Sequence, residues 1–140
     1  MKIKVIDFGY EKLPNRAHYN DVGADVYACP HTEFDKIRVW RNSSVKIPLG
    51  FGLELPDGYA GFIFPRSGLS SIGITCELSP IDPGYRGEVH AIVTNCTNAD
   101  YWIERGDRIG QLVILPIVVA DFVTELGEKR ESGAFGSTGK

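Results

Sequence analysis

Phe51-Gly52-Leu53-Glu54-Leu55-Pro56-Asp57-Gly58-Tyr59-Ala60-Gly61-Phe62-Ile63-Phe64 reads as strand, turn, strand. Residues 51–55 alternate with period two, the spacing that sends successive side chains to opposite faces of a sheet. Pro56-Asp57-Gly58 supplies the turn, because proline presets φ and glycine accepts the conformations a tight bend needs. Tyr59 to Phe64 then returns as a short aromatic run. The same signal recurs outward along the chain at Ile72 to Cys76, Glu88 to Thr94, Ile109 to Leu115 and Phe122 to Glu125. Turn clusters separate these runs at Pro83-Gly84, Asn98-Ala99-Asp100 and Arg105-Gly106-Asp107. With 16 glycines and 8 prolines there is little room for long helices, and only Ser67 to Ile72, after Pro65, predicts a short helical turn. The expectation is an all-β fold: a sandwich, jelly roll or barrel.

At 140 residues the chain is one domain with one core. Hydrophobic residues at 43% and charged residues at 24% are ordinary for a soluble globular protein. A net charge of -3 argues against coating nucleic acid by bulk electrostatics, so any polyphosphate must be met by a local cluster of donors. Cys29, Cys76 and Cys96 are odd in number and lack metal-ligand spacing, which reads as a reduced compartment. Charges at Lys2, Lys4 and Asp7 interrupt any signal-peptide core, and Leu112 to Ala120 is too short to span a bilayer and contains Pro116. A soluble, cytoplasmic protein with no membrane and no nucleic-acid partner is expected. The chain divides into a β domain, 1–127, and a polar tail, 128–140. The tail carries Gly133, Gly136 and Gly139, with Phe135 as its one large apolar residue, and is expected to be a mobile arm that closes over a site.

Candidate chemistry gathers in a few segments. Gly23-Ala24-Asp25-Val26-Tyr27 offers Asp25 as a carboxylate near a metal-bound phosphate, although most lone aspartates are only exposed strand residues. Pro65-Arg66-Ser67-Gly68 joins a helical turn's free N–H groups to a guanidinium and a hydroxyl, a plausible phosphate cradle or an ordinary loop. In Ile81-Asp82-Pro83-Gly84-Tyr85-Arg86-Gly87, Asp82 either forms the turn or, held rigidly, orients a water for in-line attack on phosphorus. Tyr85 can lie flat against a sugar. In Arg105-Gly106-Asp107-Arg108-Ile109-Gly110-Gln111 a turn enters a core strand, with Asp107 and Arg108 as an internal charge pattern. Gln111 is polar in an apolar strand and needs a partner if buried. The terminal Gly-Ser-Thr-Gly-Lys is no P-loop, because Ala134 stands where that loop needs its first glycine.

Taken together and in this order, these segments, with Gly133-Ala134-Phe135-Gly136-Ser137-Thr138-Gly139, resemble the five motifs of the trimeric dUTP pyrophosphatase (dUTPase) family over nearly the whole chain. The resemblance implies a jelly-roll-like β fold, a homotrimer with active sites at subunit interfaces, and hydrolysis of dUTP to dUMP and pyrophosphate. It implies that the reaction limits uracil incorporation into DNA and supplies dUMP for dTMP synthesis. Asp82 would activate the attacking water. Mg²⁺ would be held mainly by the substrate's phosphates, with Asp25 reaching it through water. Arg66, Ser67, Gly68 and Gln111 would hold the phosphates, and Arg130 would reach their far end. Phe135 would stack on uracil, with Gly136 and Ser137 adding phosphate contacts. Cys76, Ser79, Pro80, Ile81 and Tyr85 would line the nucleoside pocket.

The chain departs from the family's pattern at Ser79, where glycine is usual, and at Pro80, which removes an N–H. Cys76 stands where some members have a polar amide, and Glu131 and Ala134 stand where glycine is common. A dCTP deaminase shares the fold and the Ile-Asp-Pro-Gly-aromatic hairpin. That chemistry needs a glutamate ten residues past the aspartate, where this chain has Ile92. A catalytically silent docking protein is the rival of another class, and intact Asp82, Tyr85 and Phe135 speak against it.

Overall fold

A computed structural model of the chain describes residues 1–9 and 12–127. Among these, the elements in order are β1 (Lys4–Asp7), β2 (Ala24–Tyr27), β3 (Lys36–Val39), β4 (Ser43–Pro48), β5 (Phe51–Glu54), β6 (Tyr59–Pro65), α1 (Ser67–Ser70), β7 (Ile74–Cys76), β8 (Pro80–Ile81), β9 (His90–Asn95), β10 (Tyr101–Glu104) and β11 (Arg108–Pro116). The fold is all-β and jelly-roll-like, as expected. Its strands pair antiparallel in the orders β1-β5, β10-β3, β2-β11-β6-β8 and β4-β9-β7.

Alternation sets the faces. Along β9, Ala91, Val93 and Asn95 point inward, while His90, Ile92 and Thr94 point out. Inward residues from every sheet meet in one core that includes Val26, Val39, Ile47, Phe51, Ile63, Ile74, Val93 and Ile103. Fully burying one such side chain contributes about 1.5–3 kcal/mol. The turn at residues 56–58 forms as expected, with Gly58 at φ +85° and the Tyr59 N–H bonded to the Pro56 carbonyl at 3.3 Å. No helix among the described residues is long and apolar enough to cross a membrane.

Several expectations need correction. Pro65 closes β6 rather than opening a helix, Arg66 is the N-cap without a side-chain cap, and the helical turn ends at Ser70, short of Ile72. Gly73, at φ +90°, marks the break before β7 begins at Ile74. Phe122 to Glu125 forms no strand, and Phe122 is 96% exposed. A strand needs a partner edge to take its backbone hydrogen bonds, and the apolar character of that segment alone does not supply one. Strands β1, β3 and β10 have only four residues each, and β4 six, too short for the alternation of their inward apolar and outward residues to stand out from the neighbouring loops.

Asn95 is completely buried yet fully bonded. Its Nδ2 donates to the carbonyls of Val39 (3.0 Å) and Ala99 (2.8 Å), and its Oδ1 accepts from the Thr97 N–H (2.9 Å) and Oγ1 (2.7 Å). It thus joins the end of β9 to β3 and to the loop that leads into β10. Replacing it with alanine orphans several of these groups at once. We expect Asn95→Ala to lower unfolding free energy by roughly 2–4 kcal/mol, read from urea denaturation midpoints. A loss below about 0.5 kcal/mol, the size of an ordinary surface change, would show that the junction is not needed.

Candidate active site

Strand β11 hydrogen-bonds to β2 on one side and β6 on the other, and this places three of the motifs together. Gln111 is registered against Asp25 on β2 and Phe64 on β6, while Gly110 is registered against Pro65, next to Arg66. The register with β2 shifts between Arg108 and Gly110, a bulge that re-aims the side chains there. Arg108 Nη1 lies 3.2 Å from Asp25 Oδ2, and Arg66 Nη1 donates to the Arg108 carbonyl at 3.2 Å. Arg108 is therefore paired with Asp25, not with its neighbour Asp107, whose Oδ2 accepts the Glu104 N–H at 2.8 Å.

Arg66, Arg108, Asp107, Leu69 and Tyr101 line a cleft of about 180 Å³. The Arg66 and Arg108 guanidiniums on its wall, with Arg108 also paired to Asp25, give it donors of the kind that meet an anion with several oxygens. Ser67 and Gly68 are exposed at the start of α1 beside this cleft. Gly23 explains the seat of Gln111: a Cβ at position 23 would stand 2.3 Å from Gln111 Oε1, so the amide packs directly over the glycine backbone.

The remaining described motif lies elsewhere. Ser79, Pro80, Ile81, Asp82 and Tyr85 line a second pocket of about 210 Å³, floored by Ile63 and walled by His90 and Ile92. The hairpin is stiff: the Tyr85 N–H bonds to the Asp82 carbonyl at 3.1 Å, Tyr85 Oη donates to the Glu88 carbonyl at 2.8 Å, and Arg86 Nη1 donates to the Pro83 carbonyl. Asp82 itself is exposed at the bend. The Tyr85 ring runs so close to Gly87 that a Cβ there would be 2.6 Å from Tyr85 Oη. Cys76 sits apart from the pocket lining. It is 7% exposed, its Sγ faces the Ile63 carbonyl at 3.9 Å, and burial pushes its thiol up to about 11.

Within one chain the two pockets do not merge. Ile81 is registered against Gly61 on β6, four residues from Pro65, or about 13 Å along a strand. The hairpin then runs away from Arg66, since Pro80 opposes Phe62 and Ile81 opposes Gly61. Asp82 and the Arg66–Arg108 cleft thus lie in separate parts of the chain. Arg130, Phe135, Gly136, Ser137 and the whole 128–140 arm lie outside the described residues. Sequence reading missed Lys46, Glu77, Glu88 and His90 as pocket residues. The signal was available for His90, because period two from the buried Ala91 and Val93 turns His90 and Ile92 outward.

The donor set bears on a metal. No group of three or more His, Cys, Asp or Glu that could hold an ion is gathered among the described residues. One partly exposed carboxylate, Asp25, paired with the cleft residue Arg108, fits a Mg²⁺ ion that keeps its waters and takes most of its ligands from phosphate oxygens.

The chain is similar to known proteins over nearly its full length. A family model described as dUTPase matches residues 10–139. The chain is 43% identical to a deoxyuridine 5'-triphosphate nucleotidohydrolase of Tropheryma whipplei, across 91% of this chain and 88% of that protein. It is 41% identical to the corresponding protein of Clostridium tetani, across 100% and 97%. Among solved structures, the dUTPase from phage phi11 of S. aureus superposes with a TM-score of 0.82 at 23% identity, covering 94% of this chain and 99% of that one, which supports the same fold. Motif order and these matches agree: the chain belongs to the dUTPase family.

Proposed function

We propose that this chain hydrolyses dUTP to dUMP and pyrophosphate by attack of water on the α-phosphate, limiting uracil incorporation into DNA and supplying dUMP for dTMP synthesis. Family membership and the names its relatives carry support the substrate. The observation that carries the reading is Asp82, exposed on a bend braced by three hydrogen bonds, at the edge of a pocket large enough for a pyrimidine. A carboxylate so held accepts a proton from water as its oxygen bonds to the α-phosphorus. The bond from that phosphorus to the bridging oxygen breaks, and the electron pair leaves with pyrophosphate. A positioned base of this kind is worth about 10²–10⁴ in rate.

Arg66, Ser67, Gly68 and Gln111 hold the phosphates, and Arg108 orients Asp25. When bound, Mg²⁺ supplies charge neutralisation on the phosphate chain, and Asp25 would meet it through water. Ser79, Pro80 and Ile81 present the uracil pocket, where Pro80 contributes a carbonyl but no donor. Cys76, with its thiol turned toward the Ile63 carbonyl, stays outside that lining. A site built to hydrogen-bond uracil leaves groups unpaired with cytosine, which discriminates by about 10⁴–10⁵. Tyr85 against the sugar disfavours a 2′-hydroxyl.

The site is completed between copies of the chain in a homotrimer. Two observations support this. The half-sites lie more than about 13 Å apart along β6. The segment after β11 exposes Val118 (90%), Phe122 (96%) and Leu126 (94%), a run of apolar surface suited to cover by another chain. On this reading the arm at 128–140 closes over the nucleotide, with Arg130 at the terminal phosphate, Phe135 stacked on uracil, and Gly136 and Ser137 on the phosphates. The setting is the cytoplasm.

Pyrophosphate release from dUTP with Mg²⁺ tests the reading. We expect Asp82→Asn to lower turnover by roughly 10²–10⁴. Equal rates in both proteins would remove Asp82 from its role, and ammonia from dCTP at a comparable rate would mark a deaminase instead. Shared sites predict complementation: Asp82→Asn and Arg66→Ala, each inactive, should regain turnover when their chains are refolded together. That mixture forms some sites with an intact Arg66 from one chain and an intact Asp82 from another. Continued silence in a mixture that forms stable trimers would place both residues in the same chain's site.

A further inference from the structure

Glu88 ties the Tyr85 hairpin to a distant turn. Its carboxylate is only 14% exposed. Oε2 accepts the Gly50 N–H at 2.8 Å, and His31 Nε2 approaches Oε2 at 2.8 Å and Oε1 at 3.0 Å. Facing a carboxylate, that ring nitrogen is the donor. The adjoining backbone is fixed as well: the Val89 N–H bonds to the Phe51 carbonyl at 2.8 Å, and the Leu49 N–H bonds to the Val89 carbonyl at 3.0 Å. Gly50, at φ +80°, makes the turn between β4 and β5 that holds these partners in place. From this anchored residue the Glu88 carbonyl reaches back to the pocket, where it accepts Tyr85 Oη at 2.8 Å and meets His90 Nδ1 at 3.0 Å.

The Tyr85 ring has few other restraints. It is 44% exposed, and the space beneath it is open only because residue 87 is glycine. Its depth in the pocket wall is therefore set by one hydrogen bond to a carbonyl, and that carbonyl is held by the Val89 N–H bond of its own peptide unit together with the Glu88 side chain. We propose that Glu88 is a positioning residue for sugar selection: by fixing its own carbonyl through Gly50 and His31, it holds the Tyr85 ring at the height that admits a deoxyribose and crowds a ribose. This rests on the reading that the pocket takes dUTP.

The test is the ratio of kcat/KM for dUTP to that for UTP, measured on the assembled protein with Mg²⁺. Because both substrates are assayed on one sample, a variant's folded fraction cancels, and a purely structural defect leaves the ratio unmoved. Glu88→Ala and Tyr85→Phe should each lower the ratio by roughly five- to tenfold, the weight of one net hydrogen bond. The double variant should fall no further, since both changes release the same ring. Glu88→Gln should restore most of the preference, because its side-chain carbonyl still accepts the Gly50 N–H and its amide N–H donates to His31 Nε2 once the ring takes the tautomer protonated at Nδ1. An unchanged ratio in Glu88→Ala, or additive losses in the double variant, would overturn the proposal while leaving dUTP hydrolysis intact. A wild-type protein that does not release pyrophosphate from dUTP would instead overturn the underlying activity.

Discussion

The site depends on β11 being hydrogen-bonded along both edges. Its pairing with β2 seats Gln111 opposite Asp25, and its pairing with β6 brings Gly110 alongside Pro65. Residues separated by more than eighty positions thereby come within hydrogen-bond distance, as the Asp25–Arg108 pair shows. Such close approach demands small residues at particular points. A Cβ on Gly110 would lie 2.9 Å from Ile63 Cγ2 and 3.0 Å from the Phe64 carbonyl, and Gly23 leaves the room that Gln111 fills. The glycines here serve the fit between strands, because none of these contacts survives an added methyl group without movement of the sheet.

Charge in this protein orients more than it stabilises. Arg38–Asp100, Arg105–Asp35 and Arg108–Asp25 lie at the surface or at its margin, where an ion pair contributes only about 0–1 kcal/mol. Their value lies in direction. Asp100 accepts the Arg41 N–H at 2.9 Å and the Arg38 guanidinium, which together hold its carboxyl below the usual range. Its charge is thereby kept where β3, β10 and the loop from β3 to β4 meet. Arg108 likewise fixes the direction in which Asp25 faces. In the cleft, Arg66 and Arg108 balance the Asp107 carboxylate and the Asp25 partner of Arg108, so what the cleft offers an anion is directed guanidinium donors in a chain that is acidic overall, at -3.

The hairpin follows a different logic. In the proposed reaction Asp82 must be exposed to reach a substrate, yet rigid enough to aim. Rigidity comes from short-range hydrogen bonds across Asp82–Arg86 and from the anchorage of Glu88 to Gly50 and His31. The pocket floor comes from the core strand residue Ile63. A reactive group on a loop thus borrows its precision from the packed sheets behind it.

By itself, the order of residues determined that the fold is all-β and which family the chain belongs to. Period-two runs, turn glycines and prolines, and short motifs are local properties, and local chemistry is what a sequence displays. It also made the central turn at Pro56-Asp57-Gly58 legible, because its conformation depends on those residues alone. Tertiary structure alone decided the rest. It paired Arg108 with Asp25 instead of Asp107, turned the Cys76 thiol into the core, added Glu88 and His90 to the pocket, and left Phe122–Glu125 without a strand partner. Each of these outcomes depends on strand register and on which sheet edges are free. Those are contacts between segments far apart in the chain, whose geometry no local pattern encodes.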